Sequence, residues 1–456
     1  MGHHHKYPEY KNSKVSWIGD VPTTWEVRRL KEVGRLIGGA GFPHEFQHVQ
    51  GEELYFYKVG DLNLSVNGKT LLESPHSISK ETAKILHAIV IPRATITYAK
   101  IGAALLLNRR RMTTAECCID NNMTAYITNK EYVLPDWAFY WLSTIDFGEH
   151  VNPGAVPSLS EGYQSILPIP VPPIVEQEVI ARFLDYKTAQ IDALIAKKQA
   201  LLIKLAEKRT ALISHTVTKG LDPSVPMKDS GVEWLGEIPA HWQTTRIKFV
   251  ARVGNGSTPS RENSEYWFDG YFPWLNSSVV NQEIVFEADQ FVTDLALKEC
   301  HLPVVHPPAV LVGITGQGRT RGMAAKLEIR ATINQHLVFV KPRSGCVEVD
   351  YLYFLFDRAY LFLRNESDAG GSTKGAITCE QIENLSVPLP PMIEQVTIAQ
   401  SLHHEVAVLN KMKVKVAKAI ERLEEYRSAI ITNAVTGKID VRSIVIPQRA
   451  QEPTHD

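Results

Sequence analysis

Two stretches of the chain repeat apolar residues at the spacing of a long amphipathic helix. In the first they fall at Ile180, Leu184, Ile191, Leu194, Leu201, Leu205 and Leu212, in steps of 4, 7, 3, 7, 4 and 7. In the second, Ile398, Leu402, Leu409, Met412, Leu423 and Ile430 stand at matching places. A mean period near 3.5 is that of a coiled-coil seam. A proline pair precedes each run (Pro172-Pro173 and Pro390-Pro391), where a missing backbone N–H costs nothing. No Pro or Gly interrupts either run before Gly220 and Gly437. About 42 residues rising ~1.5 Å each make a helix roughly 60 Å long, longer than a single domain. A helix with one apolar stripe needs a partner, and the other copy supplies it. The expectation is a pair of long antiparallel helices.

The remaining segments read differently. Short apolar runs bounded by turn residues suggest strands at Ala88–Ile91, Ala103–Leu107, Ala309–Val312 and His336–Val340. A short amphipathic helix is expected in each segment, around Trp137–Ser143 and Tyr351–Leu361. The fold class is therefore α+β, with two mixed α/β domains separated by a coiled-coil spacer.

The segments are also copies of one another. WIGDVPTTWEVRRLK at 17–31 returns as WLGEIPAHWQTTRIK at 234–248, so Trp17, Gly19, Pro22, Trp25 and Lys31 recur as Trp234, Gly236, Pro239, Trp242 and Lys248. Residues 167–222 align without gaps on 385–440, with 19 identities in 56 columns. Two copies are a tandem duplication with pseudo-two-fold character rather than a solenoid. The expected organisation is a domain at 1–166, a helical region at 167–222, a second domain at 223–384, and a second helical region with its tail at 385–456. Between the two domains, Asn121-Asn122-Met123 is expected to match Asn334-Gln335-His336, and Ile101-Gly102 to match Arg321-Gly322.

Composition narrows the function less than the repeat does. Of 456 residues, 44% are apolar and 22% charged, ordinary for a chain with a real core. Basic and acidic residues number 49 and 50, so any basic surface must be local. Within 6–166 there are 17 of each, and within 223–384 there are 15 basic against 19 acidic. Five scattered cysteines without a CxxC pair suggest reduced thiols and a cytoplasmic protein. No stretch looks like a membrane span or a secretion signal. The tag-like MGHHH opening is left out of any metal argument.

Catalytic signatures are missing. Gly68-Lys69-Thr70 ends like a P-loop, but Asn63 stands where its first glycine belongs. The residues before the three Pro-Pro pairs are Val171, His306 and Leu389, where an amino-methyltransferase would need Asn or Asp. Gly254-Asn-Gly256 and Gly316-Gln-Gly318 complete no nucleotide loop, and Cys300, His301 and His306 match no zinc spacing. No catalytic and no metal-ligating residues are expected.

What remains is binding chemistry. Lys58, Arg93, Lys100, Arg109, Arg110 and Arg111 in the first domain are candidate DNA-binding residues. So are Arg252, Arg261, Arg319, Arg321, Asn334 and Gln335 in the second, with Lys326 and Arg330 nearby. Arg can hold phosphates or pair with guanine, while Asn and Gln suit adenine. Gly-rich stretches at 38–43 and 370–375 allow close approach of a ligand. The residues alone describe a two-headed binding protein and leave its ligand open. An autonomous DNA enzyme would turn over DNA without a partner, and a protein-only scaffold would fail to retain it.

The motifs resemble those of the specificity subunit of type I restriction-modification systems. WIGDVPTTWEVRRLK and WLGEIPAHWQTTRIK open the halves, PIPVPPIVEQEVIA and SVPLPPMIEQVTIA open the helices, and HTVTKGLD and NAVTGKID close them. The likeness spans residues 7–442, with Gly220 and Gly437 one column out of register. It implies two target-recognition domains, each reading half of a bipartite, asymmetric site in double-stranded DNA. It also implies helices that set the spacing and dock two methylating subunits, with cleaving subunits completing the complex. Adenine methylation and cleavage, with S-adenosylmethionine, ATP and Mg²⁺, would then reside in those partners and not in this chain. Pro172, Pro173, Glu176 and Gln177, with Pro390, Pro391, Glu394 and Gln395, match the family's helix-start motif. They are expected to form the hinge and to lie near the methylating subunit.

Overall fold

The computed structural model describes residues 5–65, 67–151, 156–316, 318–369 and 375–447. Two helices dominate it, Ile174–Lys219 and Met392–Val435. Each starts straight after its proline pair and carries a glutamate, Glu176 or Glu394, in its first turn, where a negative charge faces the positive end of the helix dipole. Both runs stop at a glycine with φ of +75° (Gly220) or +71° (Gly437), a conformation a side chain resists. At 46 residues, the first helix is about 70 Å long.

The four consecutive segments expected from the repeat are grouped into two compact units. Unit 1 holds residues 1–199 and 418–456, and unit 2 holds 200–417. Each long helix thus gives its start to one unit and its end to the other.

In unit 1 an antiparallel sheet is ordered Gly34–Gly38, Met123–Thr128, Ile96–Ala99, Arg110–Met112. A second sheet places Leu54–Tyr57 between Ser77–Ile78 and Cys117–Ile119, parallel to the latter. The helix Pro135–Ser143 packs on the strand Pro168–Val171, and the Trp137 and Trp141 indoles donate to Pro170 O (2.9 Å) and Pro168 O (3.0 Å). Its core joins Trp25, Trp137, Trp141 and Phe147 to Ile180, Phe183, Leu184 and Ile191 of the first long helix and to Ile430, Ile431, Ala434 and Val435 of the second. Early residues of one helix meet late residues of the other, and Asp192 pairs with Arg427 at 2.8 Å, so the two segments run antiparallel.

Unit 2 repeats this plan. Its main sheet is ordered Ala251–Asn255, Leu337–Pro342, Ala309–Gly313, Ala324–Leu327, Ile284–Val285. The smaller sheet is ordered Gln290–Val292, Phe272–Leu275, Thr332–Ile333. The domain helix Val349–Ala369 supplies Tyr351, whose hydroxyl bonds Pro388 O and Val217 O, both at 3.2 Å. Ile213 and Val217 share this core with Ile398, Ala399, Leu402 and Val406.

Three expectations need correction. Ala103–Leu106 forms a short helix rather than a strand, and Ala88–Ile91 contributes only an isolated bridge at Ile91. Period alone does not separate short apolar strands from short helices. The apolar seam is also not buried throughout: Leu194, Leu201 and Met412 are 47%, 43% and 48% exposed. The helix ends are covered by domain side chains, whereas these mid-helix positions are not.

Candidate nucleic-acid interface

The same backbone device shapes one end of the main sheet in both units. A Cβ on Gly39 would stand 1.9 Å from Asp120 O, and one on Gly256 1.7 Å from Ile333 O, so only glycine lets these chains pass so close. Ala40 N then donates to Ile119 O (3.0 Å), and Ser257 N to Ile333 O (3.1 Å). Opposite them, Asp120 accepts from Asn122 N at 2.7 Å, and Asn334 from His336 N at 3.0 Å. Asp120-Asn121-Asn122 therefore corresponds to Asn334-Gln335-His336, one place earlier than expected. Lys100 N donates to Asn122 O and Ile314 N to His336 O, at 2.8 and 3.0 Å. This matches Ile101-Gly102 to Thr315-Gly316 and not to Arg321-Gly322, and both glycines have positive φ.

Different side chains stand on this shared frame. In unit 1, Lys58 Nζ donates to Gln47 Oε1 at 2.9 Å, and the Gln47 amide donates to Phe42 O at 2.9 Å. Phe42 stacks on Phe56 with centroids 3.9 Å apart, and His76 packs edge-on against it. Burial holds the His76 imidazole below its usual pKa and pushes the Asp120 carboxyl up. Lys100 crosses above Gly38, and Arg93 is exposed. Arg109 donates to Asn63, and Arg111 donates to Gly68 O at 2.9 Å. Burial also holds the Arg111 guanidinium below its usual pKa.

Arg110 corrects the expectation that all three arginines of this run face a ligand. Its side chain is buried, bonds Asn108 O at 2.6 Å and Ile145 O, and lies 4.0 Å from the Phe147 ring centroid. Desolvation lowers its pKa to about 10. The strand period explains this, because Arg110 and Met112 point to the core while Arg111 points away.

In unit 2, Arg261 is exposed but not free to wander. Its guanidinium carbon lies 3.7 Å from the Trp267 ring centroid and 5.0 Å from that of Trp274, and Nη2 donates to Gln290 Oε1 at 2.6 Å. Gln335 bonds Thr258 Oγ1, its amide nitrogen is 3.3 Å from His336 Nε2, and His336 Nδ1 is 2.7 Å from Thr315 Oγ1. Arg252 and Arg319 are exposed, and Arg330 lies over Phe272 at 5.3 Å. Lys326 is spoken for, paired with Asp350 at 2.7 Å and Glu328 at 3.1 Å.

Arg321 and Asn334 are further corrections. Arg321 is buried and pairs with Asp368 at 2.7 Å, and Asn334 is buried as the cap of its own turn. Of the Gly-rich stretch 370–375, only Gly375 lies within the described residues.

The helix-start motif is a latch in both copies. Trp25 Nε1 donates to Glu176 at 3.0 Å, and Trp242 Nε1 to Glu394 at 2.9 Å. Gln177 accepts from Leu134 N and donates to Tyr132 O and Pro172 O, all at 2.8 Å. Gln395 accepts from Glu348 N at 2.8 Å and donates to Pro390 O at 2.9 Å. Glu176, Gln177 and Gln395 are buried and bonded within their own units, so those three side chains offer no docking face. Pro172 and Pro390 are buried too, while Pro173 and Pro391 are exposed and Glu394 is half-buried.

Sequence reasoning passed over Trp267, Gln290, Thr258 and His336. A signal was there: residues 266–274 (YWFDGYFPW) hold six aromatics in nine positions. No cluster of three or more His, Cys, Asp or Glu able to hold a metal ion occurs among the described residues.

The family model for the type I restriction modification DNA specificity domain matches twice, at residues 22–203 and 239–422. The MjaIX specificity subunit of Methanocaldococcus jannaschii is 22% identical over 443 residues, covering 94% of this chain and 97% of that relative. The EcoR124I/EcoR124II specificity subunit of Escherichia coli is 24% identical over 313 residues, covering 65% of this chain and 70% of its own. A solved chain from work on complex assembly and conformational transition of the type I R-M system superposes with a TM-score of 0.64. It is 18% identical and covers 91% of this chain and 98% of its own, a likeness of fold.

Proposed function

This chain belongs to the type I restriction-modification DNA specificity family, and from that premise we propose how its two target-recognition domains divide the work. Each reads one half of a bipartite, asymmetric site in double-stranded DNA. The observation that carries this reading is the matched frame at Gly39/Asp120 and Gly256/Asn334 bearing unlike side chains. One scaffold presented twice with different donors and acceptors suits two different half-sites.

In unit 1 the contacts would come from Lys58, Lys100, Arg93, Arg109 and Arg111, and in unit 2 from Arg252, Arg261, Arg319 and Gln335. Arg110, Arg321 and Asn334 would support them from beneath. The long helices would space the half-sites and carry two methylating subunits, with contact near the exposed Pro173 and Pro391 beside the Trp–Glu latches. Cleaving subunits complete the assembly. Methyl transfer with S-adenosylmethionine, and ATP- and Mg²⁺-dependent cleavage, belong to those partners, so this chain performs no catalysis. It works in the cytoplasm, where free thiols such as its five unpaired cysteines persist.

Exchanging residues 6–166 for the equivalent domain of a relative tests the division. Methylated sites mapped for the chimeric complex should change in one half and keep the other. A change in both halves, or in neither, would overturn the reading.

A further inference from the structure

The exposed cations of unit 2 are not equally prepared for a ligand. Arg261 is exposed yet immobilised, stacked at 3.7 Å on Trp267 and bonded through Nη2 to Gln290 at 2.6 Å. The brace is itself fixed. Trp267 Nε1 donates to Ser260 O at 2.9 Å, closing the loop that carries Arg261, and Trp267 packs edge-on against Trp274 at 5.2 Å. Trp274 Nε1 donates in turn to Ser257 O at 3.1 Å, beside the Gly256 crossing that the two units share. Gln290 stands on the strand paired with Trp274.

A guanidinium presents two forked edges, one made by Nε–H with a hydrogen of Nη2, the other by the second Nη2 hydrogen with Nη1. Gln290 takes one Nη2 hydrogen, so whichever edge it occupies the other fork stays whole. Nε and Nη1 have no protein partner among the described residues. Stacking uses the face of the group and leaves that edge without a protein partner on an exposed side chain. A planar, pre-oriented fork matches the O6 and N7 acceptors that guanine alone shows in the major groove. A mobile Lys holds phosphate as a point charge, and the Arg fork also fits two phosphate oxygens, so base reading and phosphate holding differ in whether one base pair or all sequences respond to loss of the fork. Thr258 and Gln335, bonded to each other near the same loop, extend the polar surface beside it.

Building on the DNA reading above, we propose that Arg261, braced by Trp267 and Gln290, reads a guanine in the half-site of unit 2. Fixing the side chain before binding removes the ordering cost that a free arginine meets on contact, so selectivity depends on the brace as well as on the charge.

The test maps methylated sites, and measures duplex binding, for the full chain in complex with its methylating subunit. The wild-type complex comes first. If it shows no two-part site, the underlying reading fails independently of Arg261. Given such a site, Arg261→Lys keeps the charge and loses the fork. It should relax one G·C position in the half-site of unit 2 by roughly ten- to a hundredfold, leaving the other half unchanged. Gln290→Leu should relax the same position less, with binding to the mutated site largely kept. Uniform weakening of all sequences by Arg261→Lys, with no change in base preference, would make Arg261 a phosphate contact and overturn the proposal. Unchanged preference and affinity would overturn it equally.

Discussion

The two latches use the same residues under different conditions. In unit 1, Trp25 and Glu176 are both buried, and Tyr7 packs edge-on against the indole at 5.8 Å. In unit 2, Trp242 is buried but Glu394 is half-buried and shared with His241 at 2.8 Å. One carboxylate therefore has no solvent to fall back on, and the other has both solvent and a second donor. Duplication preserved the bond while changing what its loss would cost, because an unsatisfied buried donor is penalised by its full desolvation.

Removing the carboxylates separates the two cases most widely. Glu176→Ala leaves the Trp25 indole N–H orphaned in a closed core, and it should destabilise unit 1 by about 1–3 kcal/mol. Glu394→Ala removes a carboxylate that is 40% exposed, so water can reach the Trp242 indole in its place, and it should cost unit 2 less, on the order of 0.5–1 kcal/mol. Hydrogen exchange read separately on peptides from 17–31 and 234–248 checks this. Equal losses in the two units would show that burial does not set the difference.

The helix ends give a narrower contrast. Gly220 and Gly437 share a left-handed backbone, and in each a Cβ would approach the latch tryptophan, at 3.2 Å from Trp242 or 3.3 Å from Trp25. Gly437 alone would also meet Pro22 Cδ at 2.3 Å, a ring that cannot swing away. Alanine at either position should cost roughly 1–2 kcal/mol for the left-handed residue, with Gly437→Ala the worse of the pair. Urea unfolding of the two variants side by side measures the order, and a milder Gly437→Ala would contradict the steric argument.

The latches also show what could be read ahead of the structure. The recurrence of Trp25 with Trp242 and of Glu176 with Glu394 marked positions under one constraint, and the proline pairs and terminal glycines marked where the helices begin and end. That each tryptophan bonds its own copy's glutamate, 151 or 152 residues away, is a tertiary fact that no local pattern encodes. The same limit applies to the candidate interface. Arg109, Arg110 and Arg111 are three identical letters, yet a cation ringed by Asn108, Ile145 and Phe147 differs from its neighbours only once the strand is placed. The pairing of Asp120 with Asn334 was missed because the intervening loops differ in length and share almost no residues. The continuous helix seam overreached for a simpler reason: periodicity reports which face is apolar, not whether anything covers it.

That pairing supports the finest contrast. Asp120 and Asn334 occupy the same turn and accept the same kind of bond, from Asn122 N and His336 N. Both are buried, but one is a carboxyl whose pKa burial raises, with the backbone N–H groups of Asn122 and Val59 and then Lys58 opposing that rise and Asp61 adding to it. A carboxyl with a raised native pKa binds its proton more tightly folded than unfolded. Its contribution to stability is therefore fully present below the unfolded pKa and is lost as pH climbs through the folded one. At neutral pH, unit 1 thus carries a buried charge that unit 2 has replaced with a neutral amide. Asp120→Asn copies the solution of unit 2, since the amide oxygen still accepts from Asn122 N while no charge is desolvated. The variant should gain a few tenths of a kcal/mol, up to about 1, at pH 7, the scale of a mild single substitution. Relative to wild type, that gain should shrink as pH falls through the raised pKa of the native carboxyl. Hydrogen exchange on peptides covering 117–128 from pH 4 to 7, corrected for intrinsic rates, follows the difference. A gain that stays constant across this range, or a loss at pH 7, would mean that the Asn122 and Val59 backbone N–H groups, with Lys58, compensate the charge fully.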